Sequence, residues 1–452
     1  MKIIIVGAGK VGSNLIKLLS DENHDVTVID IDRKLVETVV NDYDVIGYHG
    51  NGASFPVQED AGVESCDVFI AVTGSDELNI MSCLVASKIG AEKTVARVRN
   101  TDYSEQLLFM QNKLGIDLLI NSEFETAAEI SRIIEFPAAT AIETFAKGRI
   151  DLAEIVVSIG SVLDGIMLRD IRKALDVALL ICAVQRGDEV IIPSGNFVLQ
   201  SGDRVHFTAA KRELQKIFKA IGMQKKKIKS TIIVGGSRTS YYLSRLLKKS
   251  GIDVKLIESD HSRAVELEGL LEGVNVICAD GTDTDVLKEE GLENFDSTVA
   301  LTDIDEENII FSMYARSQGV KKTVCKVNRG QLSEMVSTMM DDCSFISPKA
   351  NTAAIILRYI RAVENAGGSE IETLYKILDG RAEAIEFISA ENCPLNDIPI
   401  KELSLKPNII IACVSHAKEI IIPDGNTVIR AGDSVIVITA GRTVYDLSEI
   451  LK

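Results

Sequence analysis

Short apolar runs alternate with longer, polar-faced stretches through the first quarter of the chain. "KIIIVG", "DVTVID", "YDVIGYHG", "DVFIAVT" and "KTVARV" are compact and rich in β-branched residues. Successive apolar positions, without a polar alternation, predict parallel strands covered by helices on both faces. Between them a helical period recurs over Val11–Leu19, Lys34–Val40 and Asn79–Ile89. That strand–helix order predicts a doubly wound α/β sheet.

The pattern is then written a second time. Gly7 recurs as Gly235 and Asp30 as Glu258, both 228 residues on. "DVFIAVTGSDELN" returns as "DSTVALTDIDEEN" and "KTVARVR" as "KTVCKVN", 229 residues on. "VIIPSGNFVLQSGDRV" returns as "IIIPDGNTVIRAGDSV", 230 residues on. So small a drift marks a tandem duplication with loop indels, each half holding two different modules. The expected fold class is α/β: two Rossmann-like doubly wound parallel-sheet domains, each followed by a small α+β domain. Expected boundaries are 1–124, 140–224, 230–350 and 370–452. In the small modules, Pro and Gly two apart and a following Gly-Asp predict tight turns joining antiparallel hairpins.

"SEFETAAEISRIIEF" has an apolar stripe of Phe124, Ala127, Ala128 and Ile130–Ile134, and Pro137 ends it. It belongs to neither flanking sheet, and "KANTAAIILRYIRAV" repeats it. We expect the stripe to be covered by the other half of the chain or by a partner subunit.

Gly7-Ala8-Gly9-Lys10-Val11-Gly12 follows a strand and opens a helix, and Asp30 ends the next strand. This is the context that makes G-x-G-x-x-G a dinucleotide fingerprint. The first glycine permits the turn, the second a close approach of pyrophosphate, and the third the packing of helix on sheet. Asp30 would accept both ribose hydroxyls and repel a 2′-phosphate, which favours NAD(H) or an adenosine nucleotide over NADP(H). The second loop reads Gly235-Gly236-Ser237-Arg238-Thr239-Ser240, with serine at two glycine positions. Either the Ser237 hydroxyl bonds a phosphate or the pocket has decayed and persists for its sheet; Glu258 keeps the acidic position. Lys10 and Arg238 share one slot, where a cation would neutralise a terminal phosphate of ATP or ADP, or else lie solvated on the helix. Thr73-Gly74 and Thr302-Asp303 fall on the crevice rim. Asn51 and Asp280 follow the third strands, where an adenine edge would lie, and Arg97 and Lys326 point a cation at the crevice from the fifth.

Composition narrows the partners. The chain has 452 residues and a formal charge of −17, which disfavours nucleic acid and anionic lipid. Lys225-Lys226-Lys227-Ile228-Lys229 reads as a solvated linker. The longest apolar runs, "ALLICAV" and "NIIIACV", fall far short of the roughly 18 residues of a membrane span. Met1-Lys2 leads directly into a strand, so a cytoplasmic protein is expected. The eight cysteines contain no CxxC pair and the five histidines no HxxxH, so no metal is expected. Asp280/Asp283/Asp285 and Asp303/Asp305/Glu306/Glu307 lack the glycine and glutamate of a calcium loop and read as loop-capping and solvated charges.

"GAGKVG", "VID", "GNGA", "AVTGSDELN", "ARVR", "IIPSGN…SGD" and "IIPDGN…AGD" together resemble the cytosolic regulatory subunits of Trk-type potassium uptake systems. Those are built from tandem RCK (regulator of conductance of potassium) units. The resemblance spans essentially the whole chain. It implies a non-enzymatic homo-oligomer, a tetrameric ring attached to the inner face of the membrane through a potassium transporter, gated by NAD(H), ATP or ADP. It assigns Gly7, Ala8, Gly9, Lys10, Val11, Asp30, Thr73, Gly74 and Arg97 to the first site. To the second it assigns Gly235, Gly236, Ser237, Arg238, Thr239 and Glu258, although the degenerate loop departs from the family pattern. Regulation of another potassium transporter or antiporter is an alternative. An NAD-dependent oxidoreductase is a weaker one, because the histidines of the two halves, His24, His49 and His206 against His261 and His416, fall at no equivalent position.

Overall fold

The computed structural model describes residues 1–104, 113–137, 141–146, 149–210, 213–222, 227–337, 340, 343–364, 370–378, 381–416 and 419–452. The first domain contains β1 (Lys2–Val6), α1 (Lys10–Asp21), β2 (Asp25–Asp30), α2 (Arg33–Asp42), β3 (Ile46–His49), α3 (Phe55–Asp60), β4 (Val68–Ala71), α4 (Asp76–Ile89), β5 (Lys93–Arg97), β6 (Leu118–Ile120) and α5 (Ser122–Glu135). Its strands are all parallel in the order β3-β2-β1-β4-β5-β6, with Ile4 of β1 opposite Thr27 and Phe69. The central runs are buried throughout, as their unalternated hydrophobicity requires. Strand order reverses between β1 and β4. Above their carboxyl ends lies the crevice in which such sheets bind ligands.

The first small domain contributes β7 (Ala141–Phe145), β8 (Ile150–Val156), α6 (Leu168–Leu175), β9 (Leu180–Arg186), β10 (Glu189–Ile191), β11 (Arg204–Ala210) and α7 (Leu214–Ala220). The second parallel-sheet domain has β12 (Ser230–Val234), α8 (Arg238–Lys249), β13 (Asp253–Glu258), α9 (His261–Leu270), β14 (Asn275–Cys278), α10 (Thr284–Glu289), β15 (Ser297–Ala300), α11 (Asp305–Ser317), β16 (Lys322–Lys326), α12 (Gly330–Ser337), β17 (Cys343–Ile346) and α13 (Pro348–Glu364). Its order, β14-β13-β12-β15-β16-β17, repeats that of the first. The last domain contains β18 (Glu370–Ile377), β19 (Ala382–Ile388), β20 (Ile409–His416), β21 (Glu419–Ile421) and β22 (Ser434–Ala440).

The two Rossmann-like domains form one compact unit, residues 1–135 and 228–357, and the two small domains form another, 136–227 and 358–452. Within the first unit, the stripe on α5 is covered by the other half. Ala127, Ile130 and Ile134 enter one core with Tyr241, Tyr242, Leu243 and Leu247 of α8. Burying each of the two isoleucines stabilises this contact by about 1.5–3 kcal/mol. Asn121 Nδ2 donates to the Tyr242 hydroxyl at 2.9 Å, and Phe124 meets the Tyr242 ring edge-on at 5.6 Å. Ile228, inside the basic run, is buried in the same core, whereas 225 and 226 lie outside the described residues.

Within the second unit both sheets are antiparallel, in the orders β10-β9-β11-β8-β7 and β18-β19-β22-β20-β21. β9 and β10 form the expected hairpin, but β11, the strand after Gly202-Asp203, crosses to pair with β9 and β8. Asp203 holds that crossover: buried, it accepts both Arg186 Nε (2.8 Å) and Nη2 (2.7 Å) and the Gln200 N–H (2.9 Å). The two small sheets share one apolar core that includes Leu152, Cys182, Ala412 and Ile436. All eight cysteines are free thiols, and six are buried; Cys278 is exposed.

Candidate nucleotide sites

The first glycine loop has the geometry its residues require. Gly7 sits at φ +104°, where a side chain is strained, and its N–H donates to Ile29 O at 2.9 Å. A Cβ on Gly12 would lie 1.8 Å from Gly7 O, so the third glycine closes helix onto turn. Gly9 faces open space and caps α1 with no side-chain acceptor, leaving the first-turn N–H groups directed at the crevice. Asp30 accepts the Ala8 N–H at 2.6 Å and the Asp32 N–H at 2.8 Å, which fixes its carboxylate at the end of β2.

Above this loop lies a cleft of about 860 Å³. Gly7, Gly9, Lys10, Val11, Asp30, Asn51, Thr73, Gly74 and Arg97 all line it; Ala8 and Gly12 shape the loop behind. The second domain reaches into the same cleft with Ser237, Arg238, Thr239, Asp303, Lys326 and Lys349. Six cations (Lys10, Arg97, Arg99, Arg238, Lys326, Lys349) therefore meet three carboxylates (Asp30, Glu123, Asp303). Arg97 donates to the Ser122 hydroxyl at 2.9 Å and pairs with Glu123 at 3.4 Å. Burial lowers the Arg97 pKa, Glu123 opposes that, and Arg99 and Arg238 lower it further. Burial and then Lys10 likewise push Lys349 down. Such crowding is relieved by a polyanion.

Sequence reasoning missed the residues that hold the rim. Asn79, fully buried, accepts the Thr73 N–H (2.8 Å) and hydroxyl (2.7 Å) and donates to Arg97 O (2.8 Å). Asn308 repeats this with Thr302 and Lys326 O at 2.9, 2.9 and 3.0 Å. Asp76 accepts the Arg99 and Asn100 N–H groups, and Asp305 those of Asn328 and Arg329. Burial raises the Asp305 pKa, but those bonds more than reverse it and hold the carboxyl below its usual range. The recurrence of "DELN" as "DEEN" was the available signal. Gln58 carried none: its buried amide donates to Gly52 O (2.6 Å) and Ser82 O (2.9 Å), pinning the loop that presents Asn51, where the second copy has Leu287. Of the acidic clusters, Asp283 caps α10 through the Asp285 N–H and Asp280 accepts from Thr282, each at 2.8 Å.

The second crevice is smaller, about 330 Å³, and is lined by Gly235, Gly236, Ser237, Glu258, Asp280, Asp303 and Glu307 among others. Glu258 accepts the Gly236 N–H and the Asp260 N–H (2.7 Å), as Asp30 does in the first copy. The helix start differs. Ser237 accepts the Ser240 N–H at 3.3 Å and lies 2.9 Å from its hydroxyl, which bonds Gly235 O. Arg238, Thr239 and Lys326 face the first cleft instead, and Lys326 is paired with Asp303 at 3.1 Å.

The TrkA-N domain family matches residues 3–122 and 231–342, and the TrkA-C domain family matches 152–222 and 384–452. A Trk system potassium uptake protein TrkA homolog of Archaeoglobus fulgidus is 32% identical over all of both chains. The Trk system potassium uptake protein TrkA of Vibrio alginolyticus is 30% identical over 96% of this chain and 95% of its own. Among solved structures, the GsuK RCK domain superposes with a TM-score of 0.64 at 18% identity, covering 97% of this chain and 92% of that one. The GsuK channel bound to NAD gives 0.63 at 19%, covering 97% and 77%, and so the fold is that of tandem RCK units. By matched domains and full-length relatives, this chain belongs to the TrkA family of Trk system potassium uptake proteins.

Proposed function

We propose that this chain is the nucleotide-sensing regulatory subunit of a Trk-type potassium uptake system, and that the first cleft is its sensor. One observation carries this reading: a single cleft with a dinucleotide loop on one side collects cations from both Rossmann-like domains. NAD(H), ADP or ATP would place its phosphates at the open start of α1, its ribose on Asp30, and its outermost charge near Arg238 and Lys349. A ligand that touches both domains favours whichever arrangement brings them together, and so shifts the population of states. No helix among the described residues is long and apolar enough to cross a membrane, so transport belongs to a separate membrane subunit in this reading. Exposed Met81 on α4 and Ile310 and Met313 on α11 supply apolar surface for a homo-oligomeric ring.

The test is potassium flux through the reconstituted transporter, with thermal denaturation of the full chain run in parallel. NADH, NAD, ATP or ADP should raise the melting temperature, and at least one pair should set different fluxes. A chain whose melting and flux ignore all four is not a nucleotide sensor.

A further inference from the structure

We infer that the second pocket binds an uncharged nucleoside and excludes phosphorylated nucleotides. This rests on the reading of the first cleft as a phosphate site, because it is the contrast between two copies of one loop that assigns the second. Three differences act in the same direction, and one shared feature points to the ligand.

Charge comes first. Glu258, Asp280, Asp303 and Glu307 line the second pocket, and its described lining residues include no lysine or arginine. The Arg238 and Lys326 cations that the motif supplies are displayed in the other cleft. Asp280 is kept ionised by the Thr282 N–H and hydroxyl, which hold its pKa below the usual carboxylate range. A phosphate entering here meets like charge, and the nearest cations are already engaged: Lys326 with Asp303 at 3.1 Å, and Arg263 with Gly236 O and Glu266, each at 2.8 Å.

The helix start is the second difference. Amides at the beginning of α1 are uncapped by any side chain, whereas Ser237 caps α8 through the Ser240 N–H. An anion would have to displace that cap, and Ser237 also carries a Cβ where Gly9 leaves open space. Size is the third. At about 330 Å³ the pocket is near the lower end of small-molecule sites, well under half the first cleft.

What the two copies share points to the ligand. The turn at Gly235 is intact, at φ +95°, and Glu258 stands at the end of its strand as Asp30 does. Ionised carboxylates only accept hydrogen bonds, so the ligand must bring donors. Ribose hydroxyls and a base amino group are donors; phosphate oxygens are not. A metal ion is the competing occupant, but among the described residues no three histidine, cysteine or acidic side chains converge to hold one.

Adenosine is the probe, titrated calorimetrically into the full chain after the first cleft has been saturated with ADP. We expect one further equivalent of adenosine, with affinity reduced at least tenfold by Glu258→Gln. The double variant Asp280→Asn/Glu307→Gln should raise ADP stoichiometry from one per chain towards two. Two ADP per unmodified chain, the second lost in Glu258→Gln, would overturn the inference while leaving the sensor reading intact. Failure of adenosine to bind the ADP-saturated chain overturns it as well, and needs no variant to fold. If ADP binds nowhere, the reading of the first cleft fails; adenosine uptake that depends on Glu258 would still support this pocket, and its absence would end the proposal.

Discussion

The first cleft and the second pocket share a strand, a glycine turn, a helix and an acid, yet one gathers cations and the other carboxylates. The sheet beneath them is the same to the register: β1 and β12 pair with their neighbours in corresponding steps. The fold therefore tolerates changes at the helix start that alter the chemistry of the crevice. At the third glycine position, Gly12 has backbone against it, whereas Ser240 fits and its hydroxyl bonds Gly235 O. In the proposed reading, duplication leaves one copy to hold phosphate and lets the other present Arg238 to its twin's ligand.

Breaking the contrast at its tightest point should give the largest effect. In Gly12→Val, a side chain is forced against Gly7 O, where even a Cβ would lie at 1.8 Å. The turn must shift. We expect overpacking to cost about 3 kcal/mol of stability, and ADP affinity at the first cleft to fall by more than a hundredfold. Ser240→Ala loses the hydroxyl's bonds to Gly235 O and to Ser237 and should cost about 1–2 kcal/mol, with ADP binding retained. Thermal melts and calorimetry compare the two. Equal penalties would mean that the loops are not differently packed.

The acids come next. Asp30→Ala removes charge-assisted bonds to the ribose and should weaken ADP or NADH binding by about 1–3 kcal/mol. The domain should not unfold: the exposed Asp32 N–H that Asp30 holds can turn to water, and only the Ala8 N–H, in the buried loop, loses its partner. An unchanged calorimetric affinity removes Asp30 from the site. Arg238→Ala is milder, weakening ATP at the first cleft by about tenfold at low salt and less at high salt, as expected of a partly solvated cation. Loss of ATP affinity without salt dependence would mean that Arg238 acts on packing instead.

Much of this contrast is legible in the amino-acid sequence. Unalternated β-branched runs mark nearly all the central strands, and the repeat doubles the signal. β6 and β17 escape because three or four half-buried residues at a sheet edge have no period of their own. The stripe on α5 announces that it needs a cover; that the cover is α8 follows from tertiary packing between halves 100 residues or more apart in sequence. The same gap hides the cleft's composition. Lys326 and Arg238 are legible as crevice cations, but not that both face the other copy's crevice. Gln58 is invisible because a buried amide that bonds two carbonyls looks like any surface glutamine in a sequence.

The smallest effect sharpens the comparison most finely. At the position where α5 carries Glu123, α13 carries Lys349, and both side chains line the first cleft. Burial and Lys10 depress the Lys349 pKa, with Asp305 partly opposing them. A bound phosphate adds negative charge and raises it again. A group whose pKa rises on binding favours the complex at low pH: its contribution is complete below the depressed value and is lost as pH climbs through the restored one. Affinity for ADP should therefore decline by about threefold across the alkaline range, with proton uptake visible as a buffer-dependent calorimetric enthalpy. Arg97, also depressed by burial, stays charged throughout and adds no slope. Lys349→Arg keeps the charge but cannot deprotonate, so it should flatten the pH profile while leaving affinity near neutrality within about twofold. A slope that persists in Lys349→Arg would move the titrating group elsewhere.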